Sequence, residues 1–216
     1  MYLSPEQALA IERRIATIES NSNVQVLVAL IGRCDAYPEI RWKAFALGVA
    51  LTALAVVGVE LTRPAWSAGL VEAVVAILAA GAANALLAQY LPWYGRRFVR
   101  HNRAQAEAQD YAEALFLEKN LFATQHRATV LMLLGLFERV VVVHPDAGLA
   151  GRVGSDDWRR VVDAVAPRLA VGDRQAGIEA GLQVLEDVLE RCPGPDHATG
   201  GNGNALPDRP IQERGE

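Results

Sequence analysis

The residues whose types could do chemistry are spread along the chain. The acids that could converge are Asp35, Glu39, Asp146, Asp156 and Asp157. Asp35 follows a predicted strand and Asp146 follows a predicted hairpin, so both could sit at one sheet edge, where ligand sites of α/β domains form. A divalent cation such as calcium or magnesium held by Asp35 and Asp146 would polarise a phosphoryl oxygen, as in metal-assisted phosphate hydrolysis. The competing reading is structural: Asp146 shapes its turn, and Asp156 with Asp157 opens a helix, where acids suit the dipole. His101, His126, His144 and His197 show no paired ligand spacing, whereas a closed zinc site needs about four ligands. Cys34 has no base beside it in sequence, and with Cys192 as the only other thiol there is no disulfide framework. No serine lies in a nucleophile elbow and no glycine-rich phosphate loop follows a strand. Gly200, Gly201 and Gly203 fall in the C-terminal tail. No residue is assigned a catalytic role.

The elements that must position these groups read as an α/β mixture. Ser4, Pro5 and Gln7 form a helix start with a capping box, followed by Ala8, Ile11, Ile15 and Ile18 on one face. After the turn Asn21-Ser22-Asn23, Val24 to Ile31 is apolar except Gln25 and reads as a strand buried on both faces. Trp93 to Arg127 reads as one long helix, basic at its start. Thr129 to Leu136 and Val140 to His144 read as a hairpin around Phe137, Glu138 and Arg139, with Pro145 to Gly148 as the next turn. Ser155 is read as the cap of a helix carrying Trp158, Val161, Val162 and Val165, stopped by Gly172. Asp173 to Cys192 is the last helix. From Pro193 onward, nine of twenty-four residues are Gly or Pro, so residues 193–216 read as a disordered tail.

Between the first strand and the long helix lie two greasy runs. Ala44 to Val59 carries no charge, and Ala73 to Tyr90 is broken only by Asn84 and Gln89. With their flanks, spans of about residues 43–60 and 71–91 are long enough to cross a hydrocarbon core of about 30 Å. The whole chain is not a membrane bundle: 216 residues are 51% hydrophobic and 21% charged. A formal net charge of -4 provides no global basic field, so nucleic acid is not an expected partner. Membrane lipids are. Arg33, Arg41 and Lys43 precede the first span and Arg96, Arg97, Arg100 and Arg103 follow the second, while the connecting loop carries only Arg63. Basic flanks stay cytoplasmic, so both termini are expected inside. Trp42, Lys43, Trp93, Arg96, Arg97, Arg100 and Arg103 are the expected membrane-interface residues. In the second span, Ala76, Ala80 and Asn84 recur at intervals of four, a spacing that suits packing on the first span or on a second copy.

The assembly that follows is a single α/β domain interrupted by a two-helix transmembrane hairpin. Residues 1–40 supply a helix and a strand, 41–94 the hairpin, 95–192 the remainder of the domain, and 193–216 the tail. A lone helix and strand cannot enclose a core, so the N-terminal and C-terminal pieces are expected to touch.

The order of these elements, with Leu136-Phe137-Glu138-Arg139-Val140, Asp146-Ala147-Gly148, the Trp158 helix and Asn204-Ala205-Leu206-Pro207-Asp208-Arg209, resembles the bacterial membrane proteins of the TPM-domain family. The resemblance spans roughly residues 5 to 210. It implies an α/β fold and a bacterial inner-membrane location; for some water-soluble members it implies acid phosphatase activity, divalent metal binding or a part in complex assembly and repair. This chain departs from the family pattern at several positions. Asn23 and Val24 stand where a Gly-Glu pair is common, Ala128 and Thr129 where a Thr-Gly pair is usual, and Val142 where an acid is common. Two candidate carboxylates are thereby lost, whereas calcium takes about six to eight oxygens. The expected role is a membrane-anchored protein-interaction or assembly module, with an unidentified protein or a second copy as partner. The alternative is a metal-dependent phosphatase.

Overall fold

The computed structural model describes residues 2–62, 69–123, 128–192 and 209–215. The chain forms two compact units, one of Met1–Asp35 with Ala104–Glu216 and one of Ala36–Arg103.

The first unit begins with α1 (Pro5–Ser22), whose capping box forms as expected: Gln7 N–H donates to Ser4 Oγ at 3.2 Å and Ser4 N–H donates to Gln7 Oε1 at 2.7 Å. Asn23 closes α1 in the left-handed region, at φ 56. The chain then enters β1 (Gln25–Arg33). After the second unit come α5 (His101–Glu118), the antiparallel pair β2 (Thr129–Gly135) and β3 (Val140–Pro145), the single turn α6 (Ala147–Ala150), then α7 (Ser155–Val171) and α8 (Arg174–Arg191). A last strand, β4 (Ile211–Gly215), completes the sheet in the order β3-β2-β1-β4. β1 runs parallel to both β2 and β4, while β2 and β3 are antiparallel.

Both faces of the sheet are covered. On one, Val26, Val28, Leu30, Val130, Met132 and Leu134 pack with residues of α1, α7 and α8, including Ile11, Ile15, Val161, Val165 and Leu182. The alternate row, Leu27, Ala29, Ile31, Leu131 and Leu133, is equally buried. His144 stands opposite Leu131 and so shares its face, and there it meets Phe116 of α5 edge to face at 5.0 Å. Two-sided burial explains why β1 and β2 are continuous apolar runs and do not alternate. The two sequence-distant pieces therefore share one core, as expected for a domain interrupted by a hairpin.

Three expectations need correction. The tail is not wholly disordered: Ile211–Gly215 pairs with Ala29–Arg33 along the free edge of β1, where an unpaired row of backbone groups is a strong template. Residues 193–208 lie outside the described residues. The long helix from Trp93 is broken. A short α4 (Pro92–Gly95) and a 3₁₀ turn, Arg96–Phe98, end at Val99, which is extended at φ -91 and ψ 129, before α5 begins. Asn120, left-handed at φ 53, then follows α5; the expected end at Arg127 lies outside the described residues. The cap of α7 is Gly154, with Ser155 already the first helical residue.

The second unit contains α2 (Glu39–Thr62), α3 (Leu70–Tyr90) and α4. At 24 and 21 residues, α2 and α3 measure about 36 and 32 Å on a rise of about 1.5 Å per residue, so both are long and apolar enough to cross a membrane. The small residues form the seam between them. A Cβ on Gly81 would come within 2.7 Å of Val49 Cγ2, and one on Gly48 within 2.9 Å of the Ala80 carbonyl oxygen. The large aliphatic residues point elsewhere: Leu54 is 70% exposed and Val71 74%.

Candidate functional site

Three places gather polar groups. The first is the carboxyl end of β1 and β2. Cys34 follows β1 and is buried, 6% exposed. Glu138, in the β2–β3 turn, reaches back so that its Oε1 accepts the Cys34 N–H at 2.9 Å. Gly135 makes the space: a Cβ there would lie 2.9 Å from Glu138 Oε2 and 3.2 Å from Cys34 Sγ. Burial, then the Glu138 charge, pushes the Cys34 thiol far above its ordinary value. It is therefore a thiol and not a thiolate at neutral pH, which removes it as a nucleophile. Arg33 covers the Phe137 ring at 4.2 Å. On the same side, Tyr111 of α5 donates its OH to Glu213 of β4 at 3.2 Å, and burial followed by the Glu213 charge raises the phenol to about 12. Lys119 also reaches Glu213, at 3.6 Å. These contacts fasten β1, the hairpin turn, α5 and β4 to one another.

The second place is the opposite end of the sheet. Asp146 is 5% exposed; its N–H donates to the Thr129 carbonyl and its Oδ1 accepts the Ala147 N–H. Its Oδ2 is buried with no hydrogen-bond partner. The expected meeting of Asp35 with Asp146 does not occur. β3 runs against β1, and Val130 pairs with both Val26 and Pro145, so Asp146 lies level with the start of β1 while Asp35 follows its end. At about 3.3 Å per residue the two are separated by roughly 30 Å of strand. The other acids are also occupied apart: Glu39 pairs with Arg103 at 2.9 Å, and Asp157 with Arg160 and Arg191 at 3.0 Å each. Asp156 lies exposed in the first turn of α7. His101 opens α5, His144 faces Phe116, and His126 and His197 lie outside the described residues. Among the described residues no three His, Cys, Asp or Glu side chains form a group able to hold a metal ion. Asp35 and Asp146 thus do not fit one cation between them. Sequence reasoning missed Glu138 and Glu213 as partners; the only signal was an acid in each of two short loops or strands.

The third place is within the hairpin unit. Asn84, on α3, donates its Nδ2 to the Ala44 carbonyl of α2 at 2.6 Å and accepts the Tyr94 OH at 2.7 Å. Of the small-residue stripe, Ala80 and Asn84 thus meet α2, whereas Ala76 is exposed. At the end of the hairpin where α2 begins and α3 finishes, Lys43 donates to the Phe98 carbonyl at 3.0 Å. Trp42 and Trp93 are 73% and 60% exposed there, and Arg41, Arg97 and Arg100 are exposed as well.

The architecture of the first unit defines the class: a mixed α/β domain with helices on both faces of a four-stranded sheet. Residues 97–188 match the family model of the TPM domain, which supports over that stretch the resemblance read from the sequence. The chain is similar to the BA42 protein from the psychrophilic bacterium Bizionia argentinensis, known by NMR. The TM-score is 0.57 at 13% identity, with 98% of this chain and 96% of that chain covered; at that identity the likeness speaks for the fold alone. No curated protein matches.

Proposed function

We propose that this chain is a membrane-anchored TPM-type domain that works as a protein-interaction or assembly module, with both termini on the cytoplasmic side of a bacterial inner membrane. The observation that carries the anchor is the pair α2–α3, whose small residues meet each other while Leu, Val and aromatic side chains are left outward. A helix in the core of a water-soluble domain buries such side chains; one in lipid leaves them at the surface. The basic flanks at one end support the orientation.

A binding role is supported over a reaction because Glu138 and Glu213 are engaged in holding elements together and Asp35 and Asp146 are at opposite ends of the sheet. Specific tests follow from this. A reporter fused after Gly95 is expected to be active only inside, and the chain is expected in the membrane pellet after alkaline washing; an external signal or a soluble chain would overturn the anchor. Purified in detergent and offered a generic phosphate ester with Ca, Mg or Mn, the protein is expected to show no turnover above buffer. Metal-dependent turnover abolished by Asp146→Asn would establish the phosphatase instead.

A further inference from the structure

The end of the hairpin where α2 begins and α3 finishes is chemically unlike its other end. Glu60 and Glu72 stand towards the far end of the two helices. At the near end, Arg41, Lys43, Arg97 and Arg100 are exposed beside Trp42 and Trp93. The neighbouring cation Arg103 is already neutralised by Glu39, and Arg96 donates its Nε to the Pro92 carbonyl. Arg41, Arg97 and Arg100 have no hydrogen bond or ion pair among the described residues. Lys43 uses one N–H on the Phe98 carbonyl, which ties the start of α2 to the stretch carrying Arg97 and leaves two ammonium protons available. Cations from two sequence-distant segments are thus held in one collar.

Resting on the membrane reading above, we propose that this collar selects anionic phospholipids, with Lys43, Arg97 and Arg100 contacting the phosphodiester oxygens of headgroups that carry net negative charge. The apolar faces of α2 and α3 do not discriminate between headgroups, because any acyl chain satisfies them. The unpaired cations do, through long-range attraction to an anionic surface and through charge-assisted hydrogen bonds to phosphate. Exposed indoles at the same level keep the cations at headgroup depth. A zwitterionic headgroup offers the same phosphate oxygens but adds a cation that the collar repels.

The experiment uses the full chain reconstituted in phosphatidylcholine vesicles containing spin-labelled phosphatidylglycerol, phosphatidylserine or phosphatidylcholine. The readout is the motionally restricted fraction of each label. Both anionic labels are expected to be enriched over phosphatidylcholine by about fivefold or more, the effect of one basic contact, and high salt is expected to reduce that enrichment. Lys43→Gln combined with Arg97→Gln and Arg100→Gln is expected to bring it close to unity. Arg97→Gln with Arg100→Gln, which keeps the Lys43–Phe98 bond, is expected to lower it severalfold, so the proposal does not depend on the triple variant folding. Arg13→Gln with Arg152→Gln and Arg159→Gln removes as much exposed charge from the other unit and is expected to leave the enrichment unchanged. Equal fractions of all three labels would overturn the proposal while leaving the anchor intact. An enrichment that survives in both collar variants, or that the control variant also abolishes, would overturn it too. A chain that stays in solution and restricts no label would overturn the membrane reading together with it.

Discussion

Glu138 illustrates how a surface turn acquires a buried polar bond. Its carboxylate accepts the Cys34 N–H, and the lack of a side chain on Gly135 leaves it room. Leaving a buried N–H without an acceptor costs about 1–3 kcal/mol. Glu138→Ala is therefore expected to lower stability by that amount in denaturant titrations of the detergent-solubilised chain, and Gly135→Ala to act similarly through overlap with Oε2 and Sγ. The thiol itself is expected to be slow to react. Alkylation near pH 8, mapped by peptide mass, should label half-buried Cys192 well before Cys34. The pH dependence follows from protons that the folded state holds more tightly. Cys34 and Tyr111 both have folded values above their ordinary 9.0 and 10.0. The unfolded chain then releases protons first as pH rises, and stability falls from about pH 9 upward. Tyr111→Phe is expected to flatten that fall between about pH 10 and 12, measured as the denaturation midpoint against pH; an unchanged slope would remove the Tyr111–Glu213 pair as a contributor.

The hairpin shows how an element is set by a few small side chains. Glycine at positions 48 and 81 lets α2 and α3 approach, and Asn84 finds an acceptor across the seam in the Ala44 carbonyl. In lipid, interhelical hydrogen bonds of this kind contribute about 0.6–2 kcal/mol. Asn84→Ala is expected to weaken the hairpin by about 1 kcal/mol, and Gly81→Ile to separate the helices outright, because even the first added carbon meets Val49 and Phe45. Thermal unfolding in detergent measures both, with Leu54→Ile on an outward face as the neutral comparison.

At the scale of the whole molecule, the domain is closed by its last residues. β1 is the centre of the sheet only because β4 occupies one side, and β4 is held less by apolar burial than by polar contacts. Gln212 Oε1 accepts the N–H groups of both Tyr2 and Leu3, at 2.7 and 3.1 Å. Gln212→Ala is expected to cost about 1–3 kcal/mol, and a chain ending at Arg209 more, since β1 would then present a free edge. Faster amide exchange across Ala29–Arg33 in the shortened chain, with α7 and α8 unaffected, would locate the loss; exchange that stays at the full-length rate would show that β4 contributes little.

Much of this was legible in the residues. Ser4 with Gln7, the unbroken apolar runs of β1 and β2, the turn at Phe137-Glu138-Arg139, Gly172 and the two long greasy segments are local patterns, and the forces behind them act within a few residues of chain. Sequence also limited the chemistry, since no spacing of His, Cys or Ser formed a catalytic signature. The direction of β3 was not legible as a consequence for the site: one antiparallel turn sends Asp146 to the far end from Asp35. Nor was the docking of Ile211–Gly215, whose stability comes from backbone groups on β1 and amides of Tyr2 and Leu3 more than 200 positions away. Periodicity records which side of an element meets the core; which ends of those elements become neighbours is decided only when strands choose partners and orientation.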